Sequence, residues 1–107
     1  MKGKFLQGKT ALVTGGTRGI GAATVLALAE AGANVAVHYC ASAELAEQIA
    51  AAARTEGVKA QAFQANLAEQ AQIEQLVSEV LGAFGQVDIL VNNAGRIHDE
   101  PVTVLTR

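Results

Sequence analysis

The sequence has few of the residues that mark several classes of protein. A single cysteine, Cys40, excludes an intrachain disulfide, and the one proline and absence of low-complexity tracts are typical of a folded domain. The net charge of -2 argues against nucleic acid or an anionic membrane as the main partner. No apolar run reaches the length of a membrane span, and none follows Lys2 and Lys4 as a secretory signal requires. We therefore expect a cytoplasmic protein.

What the sequence does contain is a regular alternation of apolar segments with two different periods. Continuous or alternating apolar runs predict strands over 10–14, 34–39, 59–64 and 87–91. Between them, the patterns predict an alanine-rich, well-buried helix over 20–31, a helix over 42–55 and a helix from a capping box at Asn66 and Glu69 to about residue 84. Strands that alternate with helices imply an α/β fold with a parallel sheet, in the order 3-2-1-4.

A glycine-rich turn, Thr14-Gly15-Gly16-Thr17-Arg18-Gly19-Ile20-Gly21, joins the first strand to the first helix. Glycines allow a tight reversal and let a phosphate approach the backbone, and the helix N-terminus offers free N–H groups to an anion. A Walker-type phosphate loop is excluded because Ala22, not lysine, follows the last glycine. The alternative is a tight turn without a ligand, but the flanking strand and helix favour a dinucleotide site.

Two motifs give the chain a family resemblance. The pattern T-G-x-x-x-G-x-G ends at Gly21, and Asn92-Asn93-Ala94-Gly95 (NNAG) follows VDILV in the fourth strand. Together they resemble the short-chain dehydrogenase/reductase family, in its bacterial 3-oxoacyl-carrier-protein reductase type. The resemblance implies that residues 1–107 form one partial Rossmann-type domain, truncated after the fourth strand. It also implies an oxidoreductase that transfers hydride between a nicotinamide and a carbonyl substrate.

The resemblance also assigns cofactor contacts. The glycine turn would hold the pyrophosphate, and Ile20 would lie near the nicotinamide. Asn66 and Leu67 would meet the adenine, with Asn66 in place of the family's usual aspartate; alternatively, Asn66 only caps the following helix. The segment after the fourth strand would border the adenosine ribose and brace the sheet. The residues expected at the pyrophosphate are Gly15, Thr17, Arg18, Gly19 and Gly21, and those expected at the ribose are Asn93, Ala94 and Gly95.

The end of the second strand predicts the choice of cofactor. An acidic residue there would bind the ribose 2′-hydroxyl of NAD and repel a 2′-phosphate, but the sequence has Tyr39 and Cys40. The missing acid favours NADP(H) over NAD(H), and Tyr39 and Ser42 are expected among the cofactor contacts. The resemblance implies the same preference, because Arg18 stands where NADP-preferring members of the family often carry a basic residue; the alternative for Arg18 is a solvated loop charge. His38 and Cys40 do not predict a metal site, because the sequence has no other cysteine and only one other histidine.

The residues that perform the family's chemistry lie beyond the NNAG motif: a serine, a Tyr-x-x-x-Lys pair and an asparagine. The only tyrosine here, Tyr39, is followed four residues later by Ala43, so no residue is assigned a catalytic role. The alternatives to a portion of an enzyme are a non-catalytic nucleotide-binding or assembly module and a degraded remnant.

Partners are predicted from apolar surface. The fourth strand is expected to be an unpaired edge, and the third helix to lack neighbours. We therefore expect a homo-oligomer through that strand or that helix face, or contact with a missing C-terminal half.

Overall fold

The computed structural model describes residues 4–93 and 103–106 of the chain. Within these residues, five strands and three helices follow one another in the order β-α-β-α-β-α-β-β. The strands are β1 (Thr10–Thr14), β2 (Asn34–Tyr39), β3 (Ala60–Gln64), β4 (Ile89–Asn92) and β5 (Thr103–Thr106). The helices are α1 (Gly19–Glu30), α2 (Ala43–Arg54) and α3 (Gln70–Phe84).

The strands form one sheet in the order β3-β2-β1-β4-β5. The first four are parallel, with Leu12 opposite both Ala36 of β2 and Leu90 of β4. The predicted Rossmann-type order 3-2-1-4 is therefore confirmed. Because parallel strands end at one edge of the sheet, the segments that follow β1, β2, β3 and β4 meet there.

Two apolar layers cover the two faces of the sheet. Val25 and Ala29 of α1 and Ala50 and Ala53 of α2 pack on one face, against residues that include Val13. On the other face, buried residues of α3 pack against neighbouring strands; this cluster comprises Leu12, Ala36, Phe63, Ala65, Leu76 and Val80. Every residue of β1 is buried, because this strand lies between two others and under both layers.

The expected unpaired edge at β4 is wrong. β5 pairs with β4 in the antiparallel direction, with Ile89 opposite Thr106 and Asn92 opposite Thr103. The chain therefore doubles back on itself instead of ending at β4, and the backbone groups of that edge are paired. The described sheet therefore has five strands rather than four, and a homo-oligomer through a bare β4 loses its physical basis.

The predicted capping box at the start of the third helix is also wrong. The Asn66 side chain accepts a hydrogen bond from the Ala68 N–H (3.0 Å), and the helix begins only at Gln70, after an N-cap residue, Glu69, whose side chain makes no capping bond. A short asparagine side chain readily bonds the backbone two residues on, which forms a turn rather than a helix start.

The helices bury narrower faces than the sequence predicts. α1 was expected to be well buried, but Ile20 is 65% exposed and Leu26 is 37% exposed. On α3, Leu76 and Val80 are buried, whereas Val77 and Leu81 of the same apolar stripe are 43% and 44% exposed. A stripe this wide covers more of the helix than one sheet face can bury.

Candidate dinucleotide site

The glycine turn that follows β1 is fixed by hydrogen bonds from both neighbouring strands. From β2, the ring of His38 accepts a hydrogen bond at Nδ1 from the Gly15 N–H (3.0 Å), and the His38 carbonyl accepts one from the Gly16 N–H (3.1 Å). After β4, Asn93 donates from Nδ2 to the Gly15 carbonyl (3.0 Å). Both polar groups of the Gly15 backbone are therefore used to hold the turn in place.

Asn93 is itself held by the last residue of β1. The Thr14 hydroxyl accepts a hydrogen bond from the Asn93 N–H (2.9 Å) and lies 3.2 Å from the Asn92 side-chain oxygen. The expected bracing of the sheet is seen here at Asn93. The other two predicted residues of this segment, Ala94 and Gly95, lie outside the described residues.

The first turn of α1 presents open backbone donors. Arg18 is the N-cap residue, with extended backbone angles, and its side chain makes no capping bond. The first intrahelical bond runs from the Ala22 N–H to the Arg18 carbonyl (3.2 Å). The N–H groups of residues 19–21 therefore have no intrahelical acceptor, and they lie at the positive end of the helix dipole. This geometry can bind a phosphate group.

Two positions in this turn are glycine for different physical reasons. Gly19 has a φ of +54°, a conformation that residues with a Cβ rarely adopt, and a Cβ there would meet open space. At Gly21, a Cβ would lie 2.1 Å from the Gly15 oxygen and 2.5 Å from Asn93 Nδ2. Gly21 therefore allows α1 to approach the turn, whereas Gly19 leaves an open surface beside the helix N-terminus.

Arg18 and Ser42 are brought together at the end of β2. Arg18 Nη2 donates to Ser42 Oγ (3.3 Å), and Ser42 occupies the N-cap position of α2 without capping it. Tyr39 ends β2 and is half-buried; its carbonyl accepts from the Ala65 N–H (3.0 Å). The structure thus gathers a cation and a hydroxyl beside the first turn of α1, and the segment 39–42 carries no acid.

The remaining predicted residues lie around this edge. Thr17 is half-buried in the turn, and the exposed Ile20 projects from the start of α1. Asn66 donates its N–H to Gln72 Oε1 (2.8 Å), so the segment after β3 is held against α3, and Leu67 packs on the α3 side of the core. Asn66 and Leu67 therefore follow β3 at the same sheet edge as the glycine turn.

His38 is the residue whose role the sequence did not predict. It is 2% exposed, accepts from Gly15 at Nδ1, and lies 2.9 Å from the Ala65 carbonyl at Nε2. Burial lowers the His38 pKa below its ordinary value, and the hydrogen bond to Ala65 partly opposes that shift. A signal was present: alternation along β2 places position 38 on the same buried face as Ala36, where both ring nitrogens need partners.

Within the described part of the chain, neither a cluster of potential metal ligands nor a helix able to span a membrane is found. No three His, Cys, Asp or Glu side chains converge there. Both ring nitrogens of His38 are within hydrogen-bonding distance of backbone groups, which leaves neither to a metal. Of the three helices described, none has both the length and the apolar character that a membrane crossing demands.

Comparison with known proteins identifies the family of the chain. The family model for short chain dehydrogenase matches residues 9–107. The chain belongs to the short-chain dehydrogenase family. It is 47% identical over 91 residues to the 3-oxoacyl-[acyl-carrier-protein] reductase of Staphylococcus epidermidis, an alignment that covers 85% of this chain and 37% of that relative. The chain therefore spans little more than a third of the length of that curated relative.

Solved structures of this family share the fold closely. The short-chain dehydrogenase/reductase of Serratia marcescens matches with a TM-score of 0.82 and 52% identity, over 86% of this chain and 38% of that one. A putative dehydrogenase of Burkholderia cenocepacia, solved with bound NADP, matches with a TM-score of 0.79 and 38% identity, over 83% and 35% of the two chains.

Proposed function

We propose that this chain forms the NADP(H)-binding portion of an oxidoreductase that transfers hydride between the nicotinamide and a carbonyl or alcohol substrate. One observation carries the proposal: Arg18 and Ser42 meet beside the open N-terminus of α1. The bound NADP of the Burkholderia cenocepacia relative and the reductase name of the Staphylococcus epidermidis relative support it.

The described residues fit such a cofactor. The N–H groups of residues 19–21 would hold the pyrophosphate, and the open space at Gly19 leaves room for it. Arg18 and Ser42 would bind a 2′-phosphate, for which the guanidinium supplies charge and the hydroxyl a hydrogen bond. Asn66 would meet the adenine. When bound, the nicotinamide supplies or accepts the hydride, and these residues bind and orient the cofactor.

Calorimetric titration with NADP+ and NAD+ tests the preference. Removing the guanidinium in Arg18→Ala deletes a charge-assisted contact worth about 1.5–3 kcal/mol, so the Kd for NADP+ should rise about 10- to 150-fold. The Kd for NAD+, which lacks the 2′-phosphate, should change little. Lys4→Ala is the matched control, because it removes the same charge from an exposed side chain near the opposite end of α1.

The outcomes separate the hypotheses. If neither dinucleotide binds, the proposed function fails. If Arg18→Ala weakens NADP+ and NAD+ equally, the choice of NADP(H) is wrong. Binding without turnover of carbonyl substrates, in a protein whose reading frame carries no Tyr-x-x-x-Lys, would favour the non-catalytic nucleotide-binding module.

We further propose that the outer face of α3, defined by the exposed Val77 and Leu81, contacts a second copy of the chain. Leu81→Glu should then shift sedimentation equilibrium towards the monomer, whereas Ser78→Glu, which adds the same charge at an exposed position of α3, should do so less. A monomer at high concentration in the unsubstituted chain would contradict this.

For the cellular location we propose the cytoplasm, since a free, exposed Cys40 suits a reducing compartment.

A further inference from the structure

The buried imidazole of His38 joins two parts of the candidate site that come from distant segments of the sequence. At Nδ1 it receives the Gly15 N–H (3.0 Å), the first peptide of the glycine turn. At Nε2 it contacts the Ala65 carbonyl (2.9 Å), one residue before Asn66. One ring therefore spans from the phosphate side of the site to the adenine side.

The two contacts determine the protonation state of the ring. Gly15 offers an N–H, so Nδ1 must accept and carries no proton. Ala65 offers a carbonyl, so Nε2 must donate and carries the proton. Only the neutral Nε2–H tautomer satisfies both partners. A second proton at Nδ1 would face the Gly15 N–H, donor against donor, on a residue that is only 2% exposed.

We propose that His38 is a positioning residue of the dinucleotide site, whose neutral ring holds the glycine turn against the segment after β3 and whose protonation releases that turn. The inference rests on the proposed function, since it assigns His38 to the same cofactor site. Two other bonds act on this turn, from Asn93 to the Gly15 carbonyl and from the Gly16 N–H to the His38 carbonyl, and the ring supplies the bond to the Gly15 N–H.

The charged groups around His38 leave burial as the main influence on its protonation. β1 and β3 contain no ionisable side chain, and on β2 the neighbours are Tyr39 and the following Cys40. Arg18 of the glycine turn is exposed and bonded to Ser42. Asp88, before β4, binds the N–H of Thr10 at the opposite end of β1. The α3 carboxylates, Glu74 and Glu79, are exposed. Burial lowers the His38 pKa, so the ring is neutral at neutral pH.

The first test needs no ligand. In the 15N-labelled chain, the imidazole nitrogens of His38 report the tautomer directly by nuclear magnetic resonance. We expect a protonated Nε2 and an unprotonated Nδ1 at pH 8, and a shift of the Gly15 amide signal that follows the ring's titration on acidification. A protonated Nδ1 at pH 8, or a Gly15 amide that ignores the titration, overturns the inference.

The second test measures the Kd of NADP+ between pH 8 and pH 5.5. Below the His38 pKa, this Kd should rise by up to about tenfold per pH unit, the limit for the uptake of one proton. The cofactor's 2′-phosphate also titrates, near pH 6, and adds its own dependence. His38→Asn keeps a polar side chain that does not titrate, so in this variant only the phosphate's contribution should remain. The control is His98→Gln, which removes the other histidine and should keep the full dependence.

The outcomes distinguish this inference from the proposed function. Identical pH profiles for the unsubstituted chain and His38→Asn refute the release by protonation, as does a dependence that disappears in His98→Gln. If NADP+ binds at no pH, the proposed function falls and the binding part of the inference falls with it. The expected result is a folded His38→Asn chain that binds NADP+ more weakly at pH 8, because asparagine is too short to reach both Gly15 and Ala65, and that keeps only the phosphate's pH dependence.

Discussion

Two glycines in helices, Gly21 and Gly82, should respond to the same substitution with opposite signs. Gly21 lies in the first turn of α1, where an added Cβ would be 2.1 Å from the Gly15 oxygen and 2.5 Å from Asn93 Nδ2. Gly82 lies in the last turn of α3, where an added Cβ has no atom within 4 Å. One site is therefore closed to a methyl group, and the other is open.

The magnitudes follow from these distances. A carbon and an oxygen ordinarily stay about 3.3 Å apart, so Gly21→Ala must move the turn or the helix by about 1 Å. Overpacking of this kind costs about 1–3 kcal/mol, and loss of the bond from Asn93 to Gly15 costs about 1 kcal/mol more. We expect Gly21→Ala to lower the free energy of unfolding by about 2–4 kcal/mol. Gly82→Ala should raise it by about 0.5–1 kcal/mol, because alanine restricts the unfolded chain and suits a helix.

Urea titration followed by circular dichroism measures both values, and this probe suits a chain without tryptophan. Gly57→Ala is a further control: its φ is +86° and its surroundings are open, so it tests backbone strain without a clash. A Gly21→Ala chain within about 0.5 kcal/mol of the unsubstituted one would refute the reasoning, since surface substitutions alone fall in that range.

Two further predictions concern stability. Because burial lowers the folded-state pKa of His38, the unfolded chain binds more protons than the folded chain as pH falls below about 6.5. The free energy of unfolding should therefore decrease by at most about 1.4 kcal/mol per pH unit. His38→Asn should flatten that dependence on pH. Asp88→Ala should cost about 1–3 kcal/mol in urea titration, because the buried Thr10 N–H loses its 2.9 Å acceptor. The exposed Glu79→Ala is its control, and equal costs for the two would contradict the assignment.

Local pattern predicted much of the sheet. β1 and β2 begin and end at the predicted residues, because strands buried on both faces give unbroken apolar runs between turn residues. β5 was missed because four residues that pair antiparallel with β4 depend on a reversal of the chain that no local period encodes. The start of α3 was misplaced since Asn66 satisfies its own turn instead of a helix.

In the site, as in the sheet, local pattern predicted some features and missed those that depend on tertiary contacts. Arg18 and Ser42 were expected at one phosphate, and they lie 3.3 Å apart, because motif and strand order together bring the ends of β1 and β2 to the same edge. Whether they bind that phosphate stays a prediction. Sequence pattern assigns no role to His38, because its contacts with Gly15 and Ala65 arise from three strands that meet only in the folded sheet.

The glycines of the turn have different roles, which follow from the backbone groups that are already hydrogen-bonded. The Gly15 N–H is bonded to His38, the Gly15 carbonyl to Asn93, and the Gly16 N–H to the His38 carbonyl. These groups cannot bind a phosphate without giving up a partner. Donors without such a partner include those of residues 19–21, at the start of α1. The first glycines of the motif therefore fix the turn to the sheet, and the later ones present the helix end to the ligand.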